Sequence, residues 1–407
     1  MIIVFIFMYI FGFNLIGPID SSIAVGLILS VYLFFDKKFA KIFNRQICNK
    51  RFLCFIFFCL ILILWSILVV FINNTYDFSY LKTFIHFIIC MIIGVELLGY
   101  IDSKGKMSQI VNYIIICFCI QSLFQVICYA FPSFSNMFNY FRSQQMIEIG
   151  ATYNGFRGIA LTKSGFFSLS AAYSVIFVLY FSKYNTLTKK AFNNFLILIL
   201  LIIGTFFAGR TGFVGLVYAI IMKIFFCFWN KKIKFNIVKF SKLGLILFLS
   251  ILLLINLSRV EKVQKLYTYV FEAFYNLSAG NGFSTSSSDI LIDMYDVDLS
   301  PLTFICGDGK YYEKDGNIIR YYKRTDVGYL RKILYFGIIG LLISFLIQLL
   351  LFGNKLKNYE KVTLFGMLMI LEIKGEIIGL NIMVSSIVIL FSKFSTIKKE
   401  DEIECNI

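Results

Sequence analysis

The strongest constraint on this chain is a series of uncharged, apolar runs, many of them long enough to cross a lipid bilayer. A helix needs about 20 apolar residues to span the hydrocarbon layer. Such runs recur along nearly the whole sequence, and hydrophobic residues make up 59% of its 407 positions. Charged residues make up only 15%, whereas a soluble domain carries about a quarter. The sequence therefore predicts an all-α polytopic membrane protein.

The apolar runs predict about 12 transmembrane helices. Two runs, 194–229 and 361–393, are each too long for one ordinary span, and we divide them at the polar breaks near Arg210 and Lys374. The predicted spans are 2–16, 22–35, 52–72, 82–100, 109–131, 165–182, 194–208, 211–229, 243–258, 332–352, 361–374 and 377–393.

The distribution of lysine and arginine predicts the orientation. Basic residues are concentrated in alternate loops, whereas the short loops 17–21 and 73–81 contain none. Because basic loops stay in the cytoplasm, both termini are expected there, and the net charge of +16 is explained without a nucleic-acid partner. The predicted inner loops are 36–51, 101–108, 183–193, 230–242 and 353–360.

The same orientation divides the chain into three parts. Residues 1–258 hold spans 1–9 and a smaller outer loop at 132–164. Residues 259–331 form one large outer loop, and residues 332–407 hold spans 10–12 and a cytoplasmic tail.

The large outer loop contains a predicted hairpin. Its Gly/Ser-rich stretch SAGNGFSTSSS is typical of a flexible link, and amphipathic helices are predicted on either side. Further on, Asp315 and Gly316 separate two aromatic-rich runs, which is a strong hairpin signal. Counted from that turn, Tyr311 is expected opposite Arg320, and Tyr312 opposite Ile319. Tyrosine faces suit sugar rings and arginines suit phosphates; a solvated cap over the bundle is the alternative.

Ionisable residues at membrane depth are costly and are functional candidates. Arg210 lies between Gly209 and Gly212, and Thr211 is expected to begin the next helix, whose N-terminal amides favour an anion. Arg210 is therefore either a diphosphate ligand or an interfacial residue that reaches the headgroups. For Lys374, the alternatives are substrate contact and a salt bridge with Glu372 or Glu376.

Five cations are predicted to share the outer side, where they would repel one another unless an anion binds. They are Arg157, Lys163, Arg210, Arg320 and Arg324.

The single histidine, His86, is expected to be a packed, hydrogen-bonded core residue. No C-x-x-C, P-loop, H-E-x-x-H or G-x-S-x-G motif occurs, so no metal site, ATP site or serine nucleophile is predicted.

Three stretches carry a family resemblance: GRTGFVGLVYAI, the segment GDGKYY…RTDVGYLRKILYFGIIGLL, and ILEIKGE. Together with the single long outer loop, which lies far towards the C-terminus, they resemble bacterial O-antigen or capsule repeat-unit polymerases of the Wzy type. The resemblance implies a metal-independent glycosyltransferase of the bacterial inner membrane, without a cofactor, acting at the outer leaflet. Its substrate would be an undecaprenyl-diphosphate-linked glycan, and a chain-length regulator and a flippase would be its partners.

The resemblance also implies site residues. Arg157, Arg210 and either Arg320 or Arg324 would hold diphosphates. We expect Arg210 and Asp326, a candidate general base, to be catalytic. Lys163, Tyr311, Tyr312 and Lys374 are expected to contact substrate.

Two other functions remain open. O-antigen ligases share the architecture but typically carry a histidine in the large loop, and 259–331 contains none. A flippase or other transporter would usually show two similar halves with short loops.

Overall fold

The computed structural model describes most of the chain. The described residues are 1–16, 19–152, 158, 160–187, 191–229, 272, 276–280, 285–315, 318–353, 356–394 and 396.

The described chain is mostly helical, with two small hairpins. The helices are α1 (Ile2–Phe11), α2 (Ser21–Phe35), α3 (Lys37–Ile47), α4 (Lys50–Ile72), α5 (Ser79–Ser103), α6 (Ile110–Ala130), α7 (Pro132–Asn139), α8 (Gln144–Thr152), α9 (Phe166–Tyr180), α10 (Ala191–Ala208), α11 (Thr211–Trp229), α12 (Ser286–Asp293), α13 (Pro301–Cys306), α14 (Gly328–Leu350), α15 (Asn358–Glu372) and α16 (Ile382–Ser392). The antiparallel strand pairs are β1 (Asn14–Ile16) with β2 (Ile19–Asp20), and β3 (Tyr312–Asp315) with β4 (Ile318–Tyr321).

The surface of the bundle is that of a protein in lipid. On α4, large apolar side chains recur at helical spacing on the exposed face, while the opposite face packs in the core. An exposed apolar stripe of this length would be a liability in water, so it indicates contact with lipid. The exposed residues of the stripe are Leu53, Phe57, Leu60, Leu64, Leu68 and Phe71.

Four helices are long and apolar enough to cross a membrane: α4, α5, α6 with its preceding turn, and α14. Six further apolar helices in the described chain are shorter. The class of protein is therefore confirmed as a mostly helical membrane protein, whereas the count of twelve spans stays a prediction. The proposed span 243–258 lies outside the described residues.

The structure corrects two assignments near the N-terminus. The predicted span 2–16 is helical only to Phe11, after which the chain turns at Gly12, with φ +51°, into β1. Ten helical residues reach only about 15 Å, too short for a full crossing. The predicted inner loop 36–51 also contains the helix α3, whose N-terminus is capped by Asp36.

Among the described residues, side-chain contacts between the ends of helices mark two ends of the bundle. At one end, here called the basic end, the Arg51 side chain donates to the Leu350 carbonyl over 2.9 Å, and Lys104 lies 3.2 Å from Asp36. At the other end, here called the hairpin end, Thr75 donates to the Gly309 carbonyl over 2.6 Å. Which end faces the cytoplasm stays a prediction.

Helix α14 is kinked where it meets the segment before the β3–β4 hairpin. Gly337 has φ +69°, and the kink releases backbone carbonyls that an unbroken helix would use. Three donors bind them: the Asp308 N–H to Leu334 over 2.7 Å, the Gly309 N–H to Tyr335 over 3.0 Å, and Trp65 Nε1 to Phe336 over 2.8 Å. The motif GDG at 307–309 is thus a backbone clamp on α14.

Candidate functional site

The carboxylate of Asp77 holds the start of the β3–β4 hairpin at the hairpin end. Asp77, between α4 and α5, accepts the backbone N–H groups of Tyr311 over 2.7 Å and Tyr312 over 3.1 Å. Partial burial by itself raises the pKa of Asp77, but the donors from Ser79, Tyr311 and Tyr312 outweigh it and lower the net pKa. The ionised carboxylate therefore holds the first residues of the hairpin against the bundle.

A buried ion pair lies beneath this hairpin. The guanidinium of Arg331, on α14, lies 3.0 Å from a carboxylate oxygen of Glu376, and the two side chains are only 8% and 5% exposed. The same oxygen accepts the hydroxyl of Tyr311. The Arg331 guanidinium also lies 3.5 Å from the ring centre of Tyr321 and 4.4 Å from that of Tyr311, so the cation lies against both rings.

This ion pair has unused hydrogen-bonding capacity. Arg331 Nε and Nη2 and Glu376 Oε1 are buried and have no hydrogen-bond partner. Most buried polar atoms in folded proteins are satisfied, and each exception needs an explanation. Two free donors and one free acceptor on a buried charge pair indicate a place where a polar ligand can bind. We call Tyr311, Tyr321, Asp326, Arg331 and Glu376 the Arg331 cluster.

Asp326 lies just before α14 and completes this cluster. Its side chain is open to solvent, although protein atoms surround much of it. Burial and the negative charge of Glu376 raise the pKa of Asp326, and Arg331 offsets them only in part. A carboxylate with a raised pKa is a better proton acceptor than an ordinary aspartate.

A second buried pair, next to the first, is fully used by the structure. Lys332 and Glu372 are both 0% exposed and form an ion pair. The other oxygen of Glu372 accepts the N–H groups of Ile377 and Ile378, each over 2.7 Å. Glu372 therefore closes the break between α15 and α16, and its satisfied contacts mark it as structural.

The predicted hairpin exists, but its register is different. Tyr312 lies opposite Tyr321, and Glu313 opposite Arg320, whereas the sequence predicted Tyr312 opposite Ile319. Asp315 pairs with Ile318, so it belongs to the strand and not to the turn. The shift stacks the rings of Tyr312 and Tyr321, whose centres are 5.4 Å apart, and presents Tyr321 to Arg331.

The two predicted loop arginines lie on or beside this hairpin. Arg320 is on β4 and exposed, and Arg324 is exposed directly after the hairpin. Lys323 and Arg324 both adopt left-handed backbone conformations, with φ of 52° and 56°. Such conformations are costly for residues with a Cβ, so the chain makes an enforced bend between the hairpin and Asp326.

Arg210 lies at the helix break that the sequence predicts, and α11 begins at Thr211. Its guanidinium is 2.6 Å from Glu272 of the large loop. The other oxygen of Glu272 accepts the Ser286 N–H over 2.8 Å at the start of α12. The amide of Gly212 donates to Ser170 Oγ over 2.8 Å. In this structure a loop carboxylate therefore occupies the position beside Arg210 where an anion was expected.

Lys374 belongs to the same region. Its ammonium group donates to Ser287 over 3.3 Å, and the Tyr295 hydroxyl donates to the Ile373 carbonyl over 3.0 Å. The carboxylates of Glu372 and Glu376, one of the two alternatives for the partner of Lys374, are joined to Lys332 and Arg331. Residues 285–295 thus connect the Arg210 break with the Lys374 turn.

Lys163 has a structural partner. Its ammonium donates to Asp20 over 3.0 Å, and His86 Nε2 lies 3.1 Å from the same carboxylate oxygen. Asp20 is itself buried and caps α2 through the Ile23 N–H. The prediction of a packed core position for His86 is wrong, because its side chain is 28% exposed beside Asp20. Arg157 lies outside the described residues.

Sequence reasoning missed Arg331 and Glu376. Arg331 was only the last residue of the predicted outer loop 259–331, and Glu376 was considered only as a partner of Lys374. The available signal was an Arg-Lys pair at 331–332 together with two glutamates at 372 and 376, since buried charges in membrane helices need opposite charges. In the described part of the chain, no group of three or more His, Cys, Asp or Glu residues could hold a metal ion.

The fold and this site define a helical membrane protein with a polar, charge-bearing cluster at one end. Comparison of the chain with protein-family models, curated proteins and solved structures finds no match.

Proposed function

We propose that this protein polymerises undecaprenyl-diphosphate-linked oligosaccharide repeat units into O-antigen or capsular polysaccharide at the outer leaflet of the bacterial inner membrane. The observation that supports this best is the Arg331 cluster, which combines unused buried donors, two tyrosine rings against the guanidinium and a solvent-accessible carboxylate. These are the groups that an acceptor sugar and a diphosphate leaving group require.

The reaction joins two lipid-linked glycans. A sugar hydroxyl of one repeat unit attacks the anomeric carbon of the growing chain, and the bond from that carbon to the diphosphate oxygen breaks. Asp326 accepts the hydroxyl proton, and undecaprenyl diphosphate leaves with the bonding electron pair. Nearby cations stabilise the developing negative charge.

In this proposal, Arg210 acts on the diphosphate by exchanging partners. Its present partner, Glu272, is a carboxylate on the large loop, and a diphosphate carries more charge in a geometry that suits a guanidinium. Binding of substrate would therefore release Glu272 and, with it, the start of α12.

The test is glycan length in a strain that lacks the gene. We expect long chains to disappear while single repeat units still reach the surface, and the wild-type gene to restore the chains. Loss of every surface repeat unit would instead support the ligase or flippase alternatives. Purified protein with synthetic lipid-linked repeat units and no metal should form polymer; absence of polymer there, with folded protein, would reject the activity.

Variants in the same strain test the site. Arg210→Ala should abolish polymer, and Arg210→Lys should leave little, because lysine lacks the two-pronged donor geometry. The control is Lys82→Gln, which also removes one cation at the hairpin end, near the start of α5, and should leave the polymer normal. Normal polymer from both Arg210 variants, at normal membrane levels, would show that the Glu272 contact of Arg210 is only structural.

A further inference from the structure

A separate cavity lies at the basic end of the bundle, away from the Arg331 cluster. It has a volume of about 320 Å³ and lies between the end of α9, the middle of α11 and the start of α15. Its polar lining consists of Ser182, Lys183, Lys223, Lys357, Tyr359, Glu360 and Thr363. Three lysines and one glutamate give the lining an excess of positive charge.

The one carboxylate of this cavity is already satisfied. Glu360 accepts the hydroxyls of Tyr184 over 3.2 Å and Tyr359 over 3.1 Å, and it lies 3.6 Å from the ammonium of Lys183. It is itself buried. Glu360 therefore neutralises Lys183 and leaves the charges of the other two lysines uncompensated.

The remaining polar groups are donors. Lys223 uses one N–H on the Phe181 carbonyl, over 3.2 Å. Among the described residues, no carboxylate forms an ion pair with Lys223 or Lys357. The hydroxyl of Ser182 is buried and has no hydrogen-bond partner. Two ammonium groups and one unused hydroxyl thus face the same space, an arrangement that fits a phosphate.

The other walls of the cavity are apolar, and they favour the phosphate of a phospholipid headgroup over free phosphate. They include side chains from three helices, and the neighbouring face of α11 exposes Val217 and Ile221 to the lipid. A free phosphate would gain nothing from such walls, whereas a phospholipid would place the first part of its acyl chains there. The apolar wall residues are Val178, Phe181, Ala219, Met222, Phe226 and Phe391.

We propose that this cavity binds the headgroup phosphate of an anionic phospholipid through Lys223, Lys357 and Ser182. Basic pockets between membrane helices recognise anionic headgroups in this way. The proposal does not depend on the polymerase activity, because it concerns a different cavity at the opposite end of the bundle.

The test uses the full chain in detergent and counts bound lipid by native mass spectrometry. Phosphatidylglycerol and phosphatidylcholine with identical acyl chains are compared. We expect the wild-type protein to retain phosphatidylglycerol preferentially. The variant Lys223→Gln/Lys357→Gln should bind it about 30-fold more weakly, if each lysine contributes as basic residues near a membrane surface do. Lys361→Gln, on α15 but outside the cavity lining, should bind as the wild type does.

Three results would overturn the proposal. They are equal retention of the two lipids, unchanged binding by the double variant, and complete displacement of phosphatidylglycerol by inorganic phosphate, which would identify a free-phosphate site. If the double variant does not fold, Ser182→Ala and Lys357→Gln, tested singly, must each weaken phosphatidylglycerol binding for the proposal to stand.

Discussion

At the scale of single residues, the two neighbouring buried ion pairs have different roles. Removing one member of a buried pair leaves the other charge unpaired, at a cost of about 3–5 kcal/mol. We expect Arg331→Met and Glu376→Gln each to lower the melting temperature in detergent. The double variant Arg331→Met/Glu376→Gln should recover much of this loss but should not polymerise, since both groups of the proposed site are gone.

The pair Lys332–Glu372 is the matched control for that experiment. The variant Lys332→Met/Glu372→Gln keeps an acceptor for the N–H groups of Ile377 and Ile378 and should retain measurable polymerisation once it is folded. Polymerisation by the Arg331/Glu376 double variant at the same rate would show that the Arg331 cluster is structural.

The protonation of Asp326 predicts a pH dependence. A general base must be ionised, and burial raises the pKa of Asp326 above the ordinary value of about 3.9. The rate of polymerisation should therefore fall as the pH drops through this raised pKa and reach its full value above it. Asp326→Asn should lower the rate by about 10²–10⁴-fold and remove the acid limb from the residual rate, while leaving the melting temperature near that of the wild type. Asp293→Asn, an exposed carboxylate on α12, is the control and should change neither.

Sequence reasoning at the residue scale found the polar residues but not their partners. Arg210 and its flanking glycines were identified as a helix break because an arginine between two apolar runs stands out. Its partner Glu272 is 62 positions away, and nothing in local spacing couples the two. The hairpin register was wrong because a turn signal locates a bend only to within a residue or two, while Asp77 and Arg331 fix which tyrosine faces the bundle.

At the scale of elements, the kink of α14 predicts a position-specific sensitivity. A Cβ on Gly337 would lie 2.0 Å from the Ile305 carbonyl oxygen, and the backbone there has φ +69°. Gly337→Ala should therefore lower the melting temperature strongly, because α13 or the 307–309 clamp must move. Gly105 also has a positive φ, +66°, but a Cβ there meets nothing within 4 Å. Gly105→Ala should cost only the backbone strain, about 1–2 kcal/mol, and equal effects at the two sites would contradict the clamp.

Helices proved easier to predict than their interruptions. Apolar periodicity identified α4, α5, α6 and α11 within a few residues, because membrane helices need long runs of one composition. The kink in α14 was not predicted. Its sequence GII, at 337–339, is ordinary for a membrane helix. The backbone N–H groups that stabilise the bend come from Asp308 and Gly309, about 25 positions earlier in the chain.

At the scale of the whole molecule, the distribution of Lys and Arg among the loops predicts a topology. Reporter fusions after Asn281 and after Leu356 should lie on opposite sides of the membrane, the first outside and the second inside. The physical reason is the excess of Lys and Arg in the short loops of the basic end. Reports from the same side would contradict both the orientation and the span order.

The sequence by itself identified a mostly helical membrane protein, because hydrophobicity is a local property of each segment that a bilayer selects directly. It also located the polar breaks and the hairpin. Only the tertiary structure decided which charges neutralise one another. Buried ion pairs such as Arg331–Glu376 and Lys332–Glu372 join residues 40 or more positions apart. In the low dielectric of the bundle a buried charge needs an opposite charge beside it, and only the packing decides which residue supplies that charge.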